Sequence, residues 1–327
     1  MNTSFRVGDL VEVLSLDQIL GTLDDHGTLD GLPFMPEMVE HCGRQFRLTT
    51  LVQKSCVESA AWFFEVRAFR GGHVWILEDL RCSGSDHDGC ARKCVLFWKS
   101  AWLKKAGEVS FPRQQRQMLA PDSSSRRLKT LKEPGRYFCQ CTELVRATFP
   151  LSKSQKLLKC LSDVRSGAVG VLEMLWMIIR YVWWRIVLKF VPRHLVGSLT
   201  RTPASTLALK PGELVEVKHP QEIVKTLDRK GCNRGLRYDR TLNKFGGKRY
   251  AVSSRIDRMI SEPTGRMLTV EGTVLLEGAM CPCYSAAFGG CPRRDFVYWR
   301  EIWLKRMGGG HVSPVDPETI HCSVDQK

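Results

Sequence analysis

The stretch Gly8-Asp-Leu-Val-Glu-Val13 returns, with one acid exchanged for another, as Gly212-Glu-Leu-Val-Glu-Val217. Apolar and polar residues alternating at period two are the pattern of a strand that buries one face. Outward from this stretch the correspondence runs without a gap at an offset of 204: Thr22-Leu-Asp24 on Thr226-Leu-Asp228, Gly27 on Gly231, Gly31-Leu32 on Gly235-Leu236, Gly43 on Gly247 and Phe46 on Tyr250. The offset then falls to 199, with Leu77-Glu78 on Leu276-Glu277 and Cys82 on Cys281. It settles at 201, where Trp98, Trp102 and Leu103-Lys104 meet Trp299, Trp303 and Leu304-Lys305. Offsets that change only between blocks are what loop-length changes inside a duplicated domain leave behind. The chain of 327 residues is longer than one ordinary core. It divides into a module at 5–105, a connector at 106–208, a second module at 209–306 and a flexible tail at 307–327.

Each module opens on its alternating strand and continues into one or two helical turns, at Ile19 to Leu23 and Ile223 to Leu227. Gly27 and Gly231 close these turns in positions suited to a left-handed C-terminal residue. His73-Val-Trp-Ile-Leu77 and Leu268 to Leu276 read as later strands. The paired tryptophans stand four residues apart, the spacing of one helical face, and are expected in the core. Several short strands in about 100 residues suit a small twisted barrel.

The Gly-Asp-Leu-Val-Glu-Val opening resembles the first strand of SH3-like barrels. The ordered set of Gly31-Leu-Pro-Phe-Met-Pro-Glu-Met38, Cys42-Gly-Arg44, a Cys-bearing turn and Phe97-Trp-Lys-x-x-Trp-Leu103 resembles uncharacterised bacterial proteins with paired SH3-like modules. The resemblance implies a mainly β chain with some α, in which two repeated SH3-like small barrels are joined by a basic, partly helical connector. It implies no activity, because fold alone supplies none.

Thirteen cysteines accompany an N-terminus, Met1 to Asp9, without the apolar core of a secretory signal. The expectation is a cytoplasmic chain whose thiols are reduced or bound to metal rather than paired in disulfides. Cys82-Ser-Gly-Ser-Asp-His87-Asp-Gly-Cys90-Ala-Arg-Lys-Cys94 puts three thiols and an imidazole within thirteen residues. Zinc takes four such donors in a tetrahedron. The expected ligands are Cys82, Cys90 and Cys94 with Cys56 or His87 as the fourth; Cys42 is a further upstream donor. Buried structural thiols are the alternative. The second copy keeps Cys281 and Cys291 but has Asp295, Ile260 and Gly246 where the first has Cys94, Cys56 and Cys42, so any metal site there is altered or lost.

Positive charge concentrates in the middle: residues 106–210 hold 18 Lys and Arg against 6 Asp and Glu, whereas residues 1–105 hold 12 against 14. Within the connector, Arg136 to Val145 has strand-like composition and carries Cys139-Gln-Cys141, read as structural thiols. Ala168 to Val191 is amphipathic: Leu172, Leu175, Trp176, Ile179, Val182, Trp183, Ile186 and Phe190 share one helical face, and Glu173, Arg180, Tyr181, Arg185 and Lys189 lie on the other side. A spanning helix would put four charges into hydrocarbon at roughly 2.5–3.5 kcal/mol each. No transmembrane span is expected. The helix either docks its apolar face on protein or lies in a membrane interface.

No catalytic arrangement can be assigned. The first expectation is an interaction or scaffold protein with a protein or peptide partner, its first module zinc-stabilised. A nucleic-acid-associated protein using the basic connector is the second. The third is a metal-dependent enzyme or maturation factor working through the Cys/His loop, with Glu78 or Asp86 as general base.

Overall fold

In the computed structural model, residues 5–58, 64–78, 80–107, 128–165, 170–281 and 293–307 are described. The tail beyond 307 and the Arg-, Ser- and Gln-rich start of the connector lie outside them. The chain is mostly β, in several small sheets, with a few helices between them. It forms two compact units, and their bounds cut across the four-part division read from the sequence. Unit 1 comprises Met1–Arg193, Ile256–Glu271 and Met280–Val297; unit 2 comprises His194–Arg255, Gly272–Ala279 and Tyr298–Lys327.

Unit 1 is built on a five-stranded antiparallel sheet in the order Trp98–Lys99, Val74–Leu77, Gln45–Leu51, Leu10–Val13, Leu103–Lys105. The alternation of the opening stretch decides its orientation: Val11 and Val13 are fully buried, while Leu10 is exposed and Glu12 half-buried. Val11 sits opposite Phe46 and Val13 opposite Leu103. Ser15 then caps helix α1 (Leu16–Leu20) in a capping box with Gln18, and Ile19 enters the core. Trp98 and Trp102 are core residues, both fully buried, but they do not share a helix. Trp98 lies in a strand and Trp102 in the 3-10 turn Ser100–Trp102, because Lys99 continues the ladder for one more residue. Gly27 likewise closes a turn at φ 76° rather than capping α1, whose C-cap is Gly21.

The connector supplies part of this core. Only Arg136–Tyr137 is strand; the rest of the strand-like stretch is helix α2 (Gln140–Ala147), begun by Cys139, whose N–H donates to Thr142 Oγ1 at 3.1 Å. Burial of Cys141, Leu144 and Ala147 on one side decides for helix. Gln140 is the clamp. Its Nε2 donates to the carbonyls of Phe97 (2.8 Å) and Pro33 (3.0 Å), and its Oε1 accepts from Phe97 N–H (2.8 Å). A second sheet follows in the order Thr148–Pro150, Phe64–Phe69, Ser55–Glu58.

Helices α3 (Lys153–Arg165) and α4 (Val171–Phe190) pack on each other. The span of α4 agrees with the amphipathic segment, but its apolar face is not covered by the protein. Met174 is its one buried side chain, and Leu175, Ile179, Trp183 and Ile186 are exposed. The physical reason is that α4 has a second apolar side (Met174, Met177, Ile178, Trp184), and this is the side that is buried or half-buried. No helix among the described residues is long and apolar enough to cross a membrane.

Unit 2 centres on a five-stranded antiparallel sheet in the order Phe296–Arg300, Thr273–Met280, Arg249–Arg255, Leu214–Val217, Leu304–Arg306. Its registers correspond residue for residue to those of the first sheet: Val215 faces Tyr250, and Val217 faces Leu304. The ladder slips between Val252 and Ser254 as it does between Leu48 and Thr50. Trp303 Nε1 donates to Thr226 at 3.0 Å, as Trp102 Nε1 donates to Thr22 at 3.1 Å. The expected strand from Leu268 to Leu276 is two, Met267–Thr269 and Thr273–Met280, interrupted at Gly272 with φ 53°.

Gln140→Leu keeps the volume but strips three partners from buried backbone groups. It is expected to lower the unfolding free energy by about 2–4 kcal/mol in urea titration. A change below 0.5 kcal/mol would refute the clamp.

Candidate metal centre

The loop from Cys82 to Cys94 closes on its own backbone. Cys82 N–H donates to the Cys94 carbonyl (2.8 Å), and the N–H groups of His87 and Gly89 both donate to Gly84 O at 3.0 Å. Gly84 is required here: its φ is +75°, and a Cβ would lie 2.0 Å from the Cys90 carbonyl oxygen. The turn drives His87 inward, where the side chain is 1% exposed.

A small cavity of about 20 Å3 opens against this loop, enough for one water-sized occupant. Its walls carry five thiols, Cys82, Cys90, Cys94, Cys139 and Cys141, together with His87, Arg92 and Gln140. His87 Nε2 lies 3.2 Å from the carbonyl oxygen of Phe138. A carbonyl only accepts, so Nε2 carries a proton, and in the neutral ring the lone pair is then on Nδ1. That buried Nδ1 has no hydrogen-bond partner, and neither has Glu37 Oε1. The ligand atoms of Glu37, Cys82 and His87 lie within 4.8 Å of one another. This Glu/Cys/His cluster can hold a metal ion.

The electrostatics point the same way. Burial, then the neighbouring Glu37 carboxylate, pushes the Cys82 thiol far up, so that without a cation it is protonated. Burial and the nearby Cys141 push Cys139 up to about 12. Cys141 is raised by its hydrogen bond with Cys94 and by burial. A divalent cation would reverse this, because a coordinated thiol is deprotonated. Cys82 and Glu37 would then supply two negative charges against two positive ones, with His87 neutral.

Of the residues singled out from the sequence, Cys82, His87, Cys90 and Cys94 all line this cavity. Cys56 does not; it lies in Ser55–Glu58 and packs with Val66, Ala68 and Leu151. Glu78 and Asp86 do not line it either, and Glu78 Oε1 accepts from Arg47 N–H. Sequence reasoning missed Glu37, Cys139 and Cys141. Glu37 stands in the quoted Gly31 to Met38 stretch, on the 3-10 helix Pro36–His41, and its other oxygen accepts from Ser83 N–H at 2.7 Å. Nothing in its spacing ties it to His87. Cys139 and Cys141 arrive on α2.

The second repeat retains the frame and not the donors. Cys281 N–H donates to Asp295 O at 2.7 Å, as Cys82 does to Cys94, but Thr241 takes the place of Glu37. Cys283 and Cys291 lie outside the described residues. Two of the replaced positions, Ile260 and Asp295, belong to unit 1 instead. Ile260 is buried and donates its N–H to Cys90 Sγ at 3.3 Å. Asp295 pairs with Arg293 at 2.8 Å.

Behind the thiols lies a buried ion network within unit 1. Glu262 Oε2 meets Arg293 at 2.7 Å, Arg92 at 3.1 Å and Cys141 Sγ at 3.5 Å. Its Oε1 accepts from Glu58 N–H at 2.9 Å. Burial alone would raise the Glu262 pKa, but the guanidinium groups of Arg293 and Arg92 outweigh it and hold the carboxyl below 4.5.

Comparisons with protein-family models, with curated proteins and with solved structures give no match for the chain.

The lowered Glu262 pKa fixes the sign of a pH effect: its contribution is complete at neutral pH and is lost as pH falls below about 4.5 through the depressed folded value. Glu262→Gln leaves two buried guanidinium groups short of a charge. It should cost about 3–5 kcal/mol at pH 7 and flatten the acid limb of the stability curve. An unchanged acid limb would contradict the role given to Glu262.

Proposed function

We propose that the protein is an interaction or scaffold protein of a reducing, cytoplasmic compartment, built on two SH3-like modules, the first fastened by a zinc ion. One observation carries the zinc reading. His87 places its Nε2 3.2 Å from a backbone carbonyl, keeps a buried Nδ1 without a partner, and lines a cavity that five thiols share. Metal-bound histidines are oriented in this way, the second nitrogen donating to a carbonyl that fixes the tautomer. Zinc suits a mixed set of sulfur, imidazole and carboxylate at borderline softness. In this reading Cys82, His87 and Glu37 are three of the ligands, and a thiol of the same cavity is the fourth.

The role given to the metal is structural. Glu37 comes from the 3-10 helix Pro36–His41 and Cys82 and His87 from the Cys82–Cys94 loop, so one ion joins two segments that share no strand. The matching strand orders and registers of the two five-stranded sheets support the paired-module reading. Such scaffolds present their loops to a protein or peptide, and the unequal donor sets leave one module metal-fastened and the other free to diverge.

Protein purified without chelator is expected to carry one zinc per chain by plasma emission analysis. A strong chelator should lower its unfolding free energy by at least about 3 kcal/mol. Cys82→Ser and His87→Ala should abolish both the zinc and the chelator effect, while Cys56→Ser keeps both. Substoichiometric metal, or stability indifferent to chelator, would overturn the reading.

A further inference from the structure

Helix α4 carries two apolar sides and a use for only one of them. The side with Met174, Met177, Ile178 and Trp184 is buried or half-buried in unit 1. The opposite stripe holds Leu172, Leu175, Trp176, Ile179, Trp183 and Phe190, and their exposures run from 48% at Ile179 to 81% at Phe190. At 100° per residue these six fall within one arc of the helix. Contiguous exposed apolar surface of this kind marks a docking face.

The charges name the occupant. Arg180 borders the stripe on one edge and Lys189 on the other, while Arg185 lies further round the helix, between Met174 and Ile178, and is exposed; Glu173 is the helix's one acid. Residues 106–210 around it carry 18 Lys and Arg against 6 Asp and Glu. A second copy docked here would bring the same excess of cations against itself. A bilayer with anionic headgroups opposes every one of them while its acyl region accepts the stripe. Trp176 and Trp183, two turns apart on the same stripe, have the apolar body and polar N–H that settle at headgroup depth. Twenty residues at 1.5 Å each give about 30 Å of helix to lie along the surface.

We propose that α4 lies in the headgroup–acyl boundary of an anionic membrane, apolar stripe inward, with Arg180 and Lys189 at the phosphate level, and so attaches the protein peripherally. This inference rests on α4 alone and is independent of the metal reading.

The test uses the full chain with vesicles of phosphatidylcholine, alone or with one quarter phosphatidylglycerol, in flotation and in tryptophan quenching by brominated lipid. Binding and quenching are expected with the anionic vesicles and not with the neutral ones. The triple variant Arg180→Glu, Arg185→Glu, Lys189→Glu should weaken partitioning on the order of 100-fold, as three lost basic charges near the surface imply. The double variant Trp176→Ser, Trp183→Ser should lose the quenching. All five substituted side chains are exposed on α4, and unchanged far-ultraviolet dichroism and urea midpoint check that the fold persists. Absence of binding by the unmodified chain overturns the proposal. So does anionic binding without quenching, which would be adsorption through the connector. A dimer abolished by the tryptophan variant, with no vesicle binding, would give the stripe to a second copy instead.

Discussion

Glu262 is a carboxylate with almost no access to water, and a charge in that position persists only where partners replace the solvent. Its partners are Arg92 and Arg293, and its second oxygen accepts a backbone N–H from Glu58. Four stretches distant in sequence are thereby held to one point inside unit 1. Arg293 reaches on to the Cys56 carbonyl, and Arg92 to the Ile260 carbonyl. Removing any one member would leave the others charged and buried, so the network acts as a whole. It is also why the segments Ile256–Glu271 and Met280–Val297 belong to unit 1 although they are numbered within the second repeat.

The cavity inherits its shape from that network. Ile260, fixed by Arg92, forms one wall; α2, held by the three hydrogen bonds of Gln140, forms another. The loop Cys82–Cys94 completes it, with Gly84 permitting the close turn and Tyr137 donating its hydroxyl hydrogen bond to Asp88. In such an enclosure burial raises the Cys82, Cys139 and Cys141 thiols, and the buried His87 Nδ1 has no hydrogen-bond partner. A buried polar atom without a partner, as His87 Nδ1 is, costs stability, and a divalent cation held by His87, Cys82 and Glu37 would supply that partner.

The sequence disclosed what is local or repeated. Gly8 to Val13 could be read because alternation in a half-buried strand is a short-range signal, and its recurrence 204 residues later supplied an internal control. The extent of α4 was readable for the same reason, since an apolar period survives without tertiary contacts. What depended on long-range packing was not readable. Arg136 to Val145 has the composition of a strand, and only contact with the first sheet makes its second half a helix. Cys56 looked like a ligand by nearness in the chain, whereas its strand points it into another cluster. Glu37 and Cys139 stand 45 and 57 residues from Cys82 and share no spacing with it.

The zinc ion proposed for unit 1 would be bound through His87 and Cys82. X-ray absorption at the zinc edge of the intact protein tests it most directly. The predicted spectrum has four light and heavy scatterers, sulfur at about 2.3 Å with nitrogen and oxygen at about 2.0–2.2 Å, and an imidazole outer-shell signal that disappears in His87→Ala. A first shell of oxygen alone, or an imidazole signal that survives the loss of His87, would contradict it.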